Sequence, residues 1–181
     1  MGGDRHPPSL SFTRLFSESN MSFRLIPDHY AVVTGLAPIT PSTSTPDYVS
    51  LKNVLRLTAV IVVDNGNTVT GSAITLKQAT AVAGTSEKAL AFSKAWRNID
   101  SGAADGLTEF TVTSDTFTTD TTNAKNLVYV IDVDPASLDT NNGFDCVRVG
   151  TGDAANTVLS VLYLVQLRET GGSSQPSVIV D

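Results

Sequence analysis

From Leu51 the chain reads LKNVLRLTAVIVVDNGN, and from Thr157 it reads TVLSVLYLVQLRE. Both runs alternate side with every residue, the period of a pleated strand and not the three-and-four spacing of a helix. In the first, Leu55, Leu57, Ala59, Ile61 and Val63 share one face. The other face carries Arg56 and Thr58 and then turns apolar at Val60 and Val62. In the second, Leu159, Val161, Tyr163, Val165 and Leu167 share a face, while Val158, Leu162 and Leu164 make the reverse side nearly as apolar. A strand apolar on both sides is expected to be covered on both, or to lie against a neighbour.

The rest of the chain follows the same period in shorter pieces. HYAVVTG, TVTGSAITLKQ, LTEFTVTSDTFT, NLVYVIDVD and FDCVRV are rich in β-branched and aromatic residues. Thr40 to Pro46, TPSTSTP, is a proline-bounded loop that cannot continue a ladder. Asn65-Gly66 predicts a tight hairpin after the first long strand. Asp134-Pro135-Ala136-Ser137-Leu138 predicts one capped helical turn, with Asp134 as N-cap and Pro135 at the first helical position. About eight strands, turn-rich joints and no long helical period predict an all-β fold, a single-domain β-sandwich of jelly-roll-like form with terminal arms.

The body is expected over residues 21–170. Residues 1–20 carry Gly2-Gly3, Pro7-Pro8 and no period, and Met21 opens a stretch that reads as a protein start. Two readings stand for them: an upstream start, or an arm that orders against a partner. Residues 171–181, GGSSQPSVIVD, form a C-terminal tail in which Val178, Ile179 and Val180 could add as a strand to a neighbour's sheet.

The balance of twelve basic against eighteen acidic residues, a net charge of -6, argues against gripping a phosphate backbone. No run approaches the roughly eighteen apolar residues of a membrane span, and the N-terminus lacks the apolar core of a secretory signal. The chain is therefore expected to be made in a cytoplasm. A single cysteine, Cys146, in a strand-like run, reads as a buried thiol and excludes a cysteine-cluster metal site.

Templates for catalysis fail on spacing. In QATAVAGTSEKALAF, Gln78 to Phe92, a phosphate loop would need two glycines and a Lys directly after the second, followed by a helix. A Ser-x-x-Lys pair fails because Ser86 stands two residues before Lys88. His6 lies in the leader and His29 stands without a triad motif. Asp132, Asp134, Asp139 and Asp145 with Asn141-Asn142-Gly143 miss the spacing of a calcium loop and read as caps and turns. No catalytic residue, cofactor or metal is expected.

The blocks IPDHYAVVTGLAPIT, DYVSLKNV, ITLKQATAVAGTSEKAL, KAWRNID, VDPASLDTNNGFDCVRV and PSVIVD together resemble a group of small tailed-phage and prophage structural proteins encoded near the major capsid protein. The likeness covers roughly Ser22 to Asp181 and carries no catalytic signature. It implies a virion protein, a head decoration or cement protein on the capsid surface, made in the host bacterial cytoplasm. The implied partners are the major capsid protein and further copies of itself, as a dimer or trimer, with no nucleic acid and no membrane. Candidate partner-binding residues are Trp96, Leu90, Phe92, Val178, Ile179 and Val180; Leu90 and Phe92 are expected to re-enter the core or to meet a neighbour's surface, with Glu87 and Lys88 in water. Other virion roles (tail tube, head fibre or connector) form one alternative. A carbohydrate-binding sandwich for host attachment, built on Trp96, Asn98 and Asp100, forms another.

Overall fold

The computed structural model describes residues 30–41 and 46–168. They form two antiparallel sheets facing each other across one core. The strands are β1 (Tyr30–Ile39), β2 (Val49–Ser50), β3 (Val54–Asn65), β4 (Ala73–Ala79), β5 (Lys88–Ala89), β6 (Phe92–Asn98), β7 (Thr108–Ser114), β8 (Thr116–Thr118), β9 (Asn126–Val133), β10 (Cys146–Thr151) and β11 (Thr157–Leu167). The larger sheet runs β1-β11-β3-β9-β6-β7. The smaller runs β2-β10-β4-β5, with β8 also on β4.

Pairing is nested: β1 with β11, β2 with β10, β3 with β9, β4 with β8. First with last and so inward is the jelly-roll wrapping. Two features depart from a plain eight-stranded roll. The strand opposite β4 is split, with β5 on Lys77 and Gln78 and β8 on Ala73 to Thr75. Between those halves the chain crosses over and adds the β6–β7 hairpin beyond β9. Of the described strands, β2, β5 and β6 are not among those expected from sequence: β2 and β5 are two residues long, too short to show a period, and in β6 the polar Ser93, Lys94 and Arg97 blur the alternation. LTEFTVTSDTFT, read as one strand or a pair, holds both β7 and β8.

The alternation puts Leu57, Ala59, Ile61 and Val63 of β3, Leu127, Tyr129, Ile131 and Val133 of β9, and the odd-numbered residues of β11 into the core. Ile74 and Leu76 of β4 and Val147 and Val149 of β10 meet them from the smaller sheet. Tyr163 spans the core: its hydroxyl accepts from the Val149 amide at 2.9 Å and donates to the Asp47 carbonyl at 3.3 Å, joining the two sheets. The β1–β11 register breaks at Gly35, where an added Cβ would stand 2.3 Å from the Tyr163 ring. Only glycine leaves room for that ring.

Two local expectations change, and a third, for β11, keeps only its reading as a strand that meets a neighbour. Leu55 is 48% exposed and Val54 is buried, because the β3–β11 register slips between Arg56 and Val54 and turns Leu55 outward. Asn65-Gly66 makes no tight hairpin: β3 and β4 lie in different sheets, and the segment crosses between them. Asn65 is buried there, its side-chain amide donating to the carbonyls of Asp120 and Thr122. The reverse side of β11 is not covered by the described residues: Val158 is exposed and Leu162 and Leu164 are half-buried. The turn at Asp134 stands as expected, a 3-10 turn over Pro135–Ser137 with the Asp134 carboxylate accepting from the Ala136 amide.

Candidate functional site

The outer face of the larger sheet is built by the residues that alternate with the core. Register places Leu162 opposite Val60, Val60 opposite Val130, and Val130 opposite Trp96. One apolar row thus crosses β11, β3, β9 and β6. A parallel row carries Val62 beside Val128, and Leu164 pairs with Val32 on the edge strand β1. Val32, Val62 and Val158 are 55%, 46% and 40% exposed. Charges border the patch in pairs of opposite sign: Arg56 with Asp132 at 3.9 Å and Lys94 with Glu109 at 2.9 Å. A contiguous apolar patch with a polar rim is the signature of a protein-binding surface.

Trp96 sits half-buried at one end of this row, where the sheet comes apart. β6 pairs with β9 only through Trp96, Arg97 and Asn98. Beyond them the two strands diverge around a cleft of about 550 Å³, lined by Leu76, Phe92, Trp96, Val112 and Val133, with Lys94, Asp132 and Asp134 among its polar groups.

The outer face of the smaller sheet has a different construction. Lys77 of β4 and Arg148 of β10 stand directly opposite each other, two like charges that repel. The carboxylate of Glu87 lies between them. It pairs with the Lys77 ammonium, accepts from the Arg148 guanidinium at 2.6 and 3.1 Å, and accepts from the Tyr48 hydroxyl at 2.6 Å. Burial would raise the Glu87 pKa, but the hydrogen bonds from Lys77, Tyr48 and Arg148 win and bring it down to about 2. Tyr48 moves the other way, pushed up to about 12 by burial and by the bond to Glu87. The loop leading to Glu87 folds over the sheet: Val82 packs on Tyr48, Ala79 and Cys146, and Gly84 (φ 78°) passes close to the Tyr48 ring. Cys146 is a buried thiol there, raised to about 12 by burial and then by its bond to Asp145.

Of the residues marked from sequence, Trp96 reaches an open face. Leu90 does not: it is 4% exposed and belongs to the core, because β5 and the turn after it press it inward. Phe92 is half-buried in a cluster with Phe117, Phe110 and Tyr129 that fastens the β6–β7 hairpin to the body. It also lines the cleft. Val178, Ile179 and Val180, like His6 and His29, lie outside the described residues. Asn98 and Asp100 are held by their own loop, Asn98 donating to the Ala104 carbonyl and Asp100 paired with Lys125.

The acidic residues considered for calcium are dispersed. Asp132 accepts from Thr58, Asp134 caps its turn, Asp139 pairs with Lys88, and Asp145 with Lys52. Sequence reasoning missed Val128 and Val130, whose strand looked amphipathic only through its core side. It also missed the Glu87 cluster, since positions 48, 77, 87 and 148 have no common spacing.

No family model matches the chain, and no curated protein does. Among solved structures it is similar to the crystal structure of SPBc2 prophage-derived protein YomS, at 15% identity and a TM-score of 0.43, over 76% of this chain and 93% of that one. A likeness of that size carries no argument about function.

Proposed function

We propose that the chain is a structural protein of a tailed-phage virion, a decoration or cement protein that seats the outer face of its larger sheet on the capsid. The observation that carries this reading is the apolar row from Leu162 through Val60 and Val130 to Trp96, left open on a body whose other outer face is closed by its own loop. Burying apolar area contributes roughly 25 cal/mol per Å² before the costs of association are subtracted. A rigid jelly roll presents such a face without having to reorganise. The likeness of its sequence blocks to capsid-associated phage proteins supports the same reading. Its partners are the major capsid protein and neighbouring copies of itself, and its work is binding, not catalysis.

The test compares purified heads assembled with and without the chain. Expected are many copies per head and a higher temperature of head disruption when it is present. Recovery of the chain only on tails stripped of heads, or no gain in resistance at full occupancy, would overturn the reading.

A further inference from the structure

The cleft between β6 and β9 is bounded by two strand edges. β6 meets β9 only at Trp96, Arg97 and Asn98. Residues 92–95 of β6 and 131–133 of β9 therefore have no cross-strand partner across the gap among the described residues. Such edges offer backbone donors and acceptors to an incoming strand, whose alternate side chains then fill what lies beneath. Beneath these edges Leu76, Phe92, Val112 and Val133 make an apolar floor, with Trp96 at the mouth.

Alternation fixes what such a strand must carry. Ile131 and Val133 belong to the core, so Asp132 between them is on the outer face. Residues opposite each other in a ladder share a face. A strand added beside β9 thus turns the residues opposite Ile131 and Val133 to the apolar floor, and the one opposite Asp132 outward. Continuing the β6–β9 register would set Lys94 opposite Asp132, but the strands have parted and the Lys94 ammonium pairs with Glu109 at 2.9 Å. Asp132 accepts from Thr58 and stands 3.9 Å from Arg56, both of them on β3, the side away from the cleft. Asp134 adds a second carboxylate to the lining. The complement of this site is a cation, and the pattern it fits is apolar–basic–apolar. Among the described residues that pattern occurs as Leu55-Arg56-Leu57 and Val147-Arg148-Val149, already built into β3 and β10. The folded body of a second copy therefore cannot donate it.

We propose that the cleft binds an extended apolar–basic–apolar segment of a different polypeptide, added as a strand along residues 131–133 of β9 with its basic side chain beside Asp132. This goes beyond the seating of the outer face: it gives the chain a second contact, made with an extended segment and not with a surface.

Trp96 is the chain's one tryptophan and lines the cleft, so its emission reads occupancy directly. The probes are three capped peptides, Val-Lys-Val-Lys-Val, Val-Glu-Val-Glu-Val and Ser-Lys-Ser-Lys-Ser, titrated into the full chain. The first is expected to shift Trp96 emission saturably to the blue and to slow hydrogen exchange at residues 131–133 roughly tenfold or more. The second keeps the apolar positions and reverses the charge, and should bind roughly tenfold more weakly. The third carries the charge without the apolar contacts and should give no saturable shift. In Asp132→Asn, which keeps an acceptor for Thr58, the preference for the lysine peptide over the glutamate peptide should fall to roughly threefold or less. Equal affinity for the two valine peptides would overturn the proposal, as would a preference unchanged in Asp132→Asn or an equal response to the serine peptide. No response to any of the three would overturn it too, by leaving the cleft to the chain itself or to no strand at all. None of these readouts needs a capsid, so failure here is distinct from failure of the capsid reading.

Discussion

The two outer faces of the sandwich treat the same physical problem in opposite ways. On the smaller sheet, a loop lies over the strands and one carboxylate holds Lys77, Arg148 and Tyr48 together, so the chain completes that face itself. On the larger sheet, Val60, Val62, Val128, Val130, Leu162 and Trp96 form a broad face that no described loop crosses. Apolar residues scattered singly on a surface carry little meaning, whereas rows aligned by register across four strands form a patch. The contrast separates what serves stability from what serves association. Glu87 belongs to the first, and the proposed function assigns the valine rows to the second.

Substitutions that sharpen this contrast differ in size. The largest effect is expected from Glu87→Gln, which keeps the shape but leaves Lys77 facing Arg148. With the carboxylate partly exposed and its pairing screened accordingly, a loss of roughly 1–3 kcal/mol is expected in denaturant unfolding. The same residue sets an acid limit. Its folded pKa of about 2 lies below the ordinary value of 4.5, so its contribution is full above that value and disappears as pH falls from 4.5 towards 2. Unfolding midpoints measured across this window should fall in the wild type and fall less in Glu87→Gln. Equal slopes would remove Glu87 from its role as the clamp.

Next comes Gly84→Ala, which puts a side chain at φ 78° with its Cβ 3.1 Å from the Tyr48 ring. A loss of roughly 1–2 kcal/mol is expected, read as a lower thermal midpoint. The smallest effect on stability, within about 0.5 kcal/mol, is expected from Val62→Lys with Val158→Lys on the open face. The same pair should weaken binding to heads roughly tenfold or more, because each lysine brings a charge into the apolar contact, that at 62 without a cross-strand carboxylate and that at 158 opposite Asp64. A variant that folds and still binds as the wild type would break the comparison.

Much of this was legible in the sequence because alternation is a local signal. The core faces of β3, β9 and β11, the Asp134 cap and the buried Cys146 all follow from residue order alone. The two-sided apolarity of TVLSVLYLVQLRE marked the open face as well. What was not legible depends on contacts between distant positions. The split strand β5/β8 and the jelly-roll nesting arise only when strands far apart in sequence pair. Leu55 changed sides through a single register slip, to which a period-two reading is blind. Leu90 re-enters the core, one of the two places expected for it, whereas Glu87, expected in water, forms the clamp through Tyr48 and Arg148, 39 and 61 positions away in sequence.

The orientation of the chain on an intact particle tests the central claim most directly. A density map of heads carrying the protein is expected to show Val60, Val62, Val130, Leu162 and Trp96 against the shell or an adjoining copy, with the Glu87 face turned to solvent. A map in which the Glu87 face meets the shell and the valine rows face solvent would contradict it.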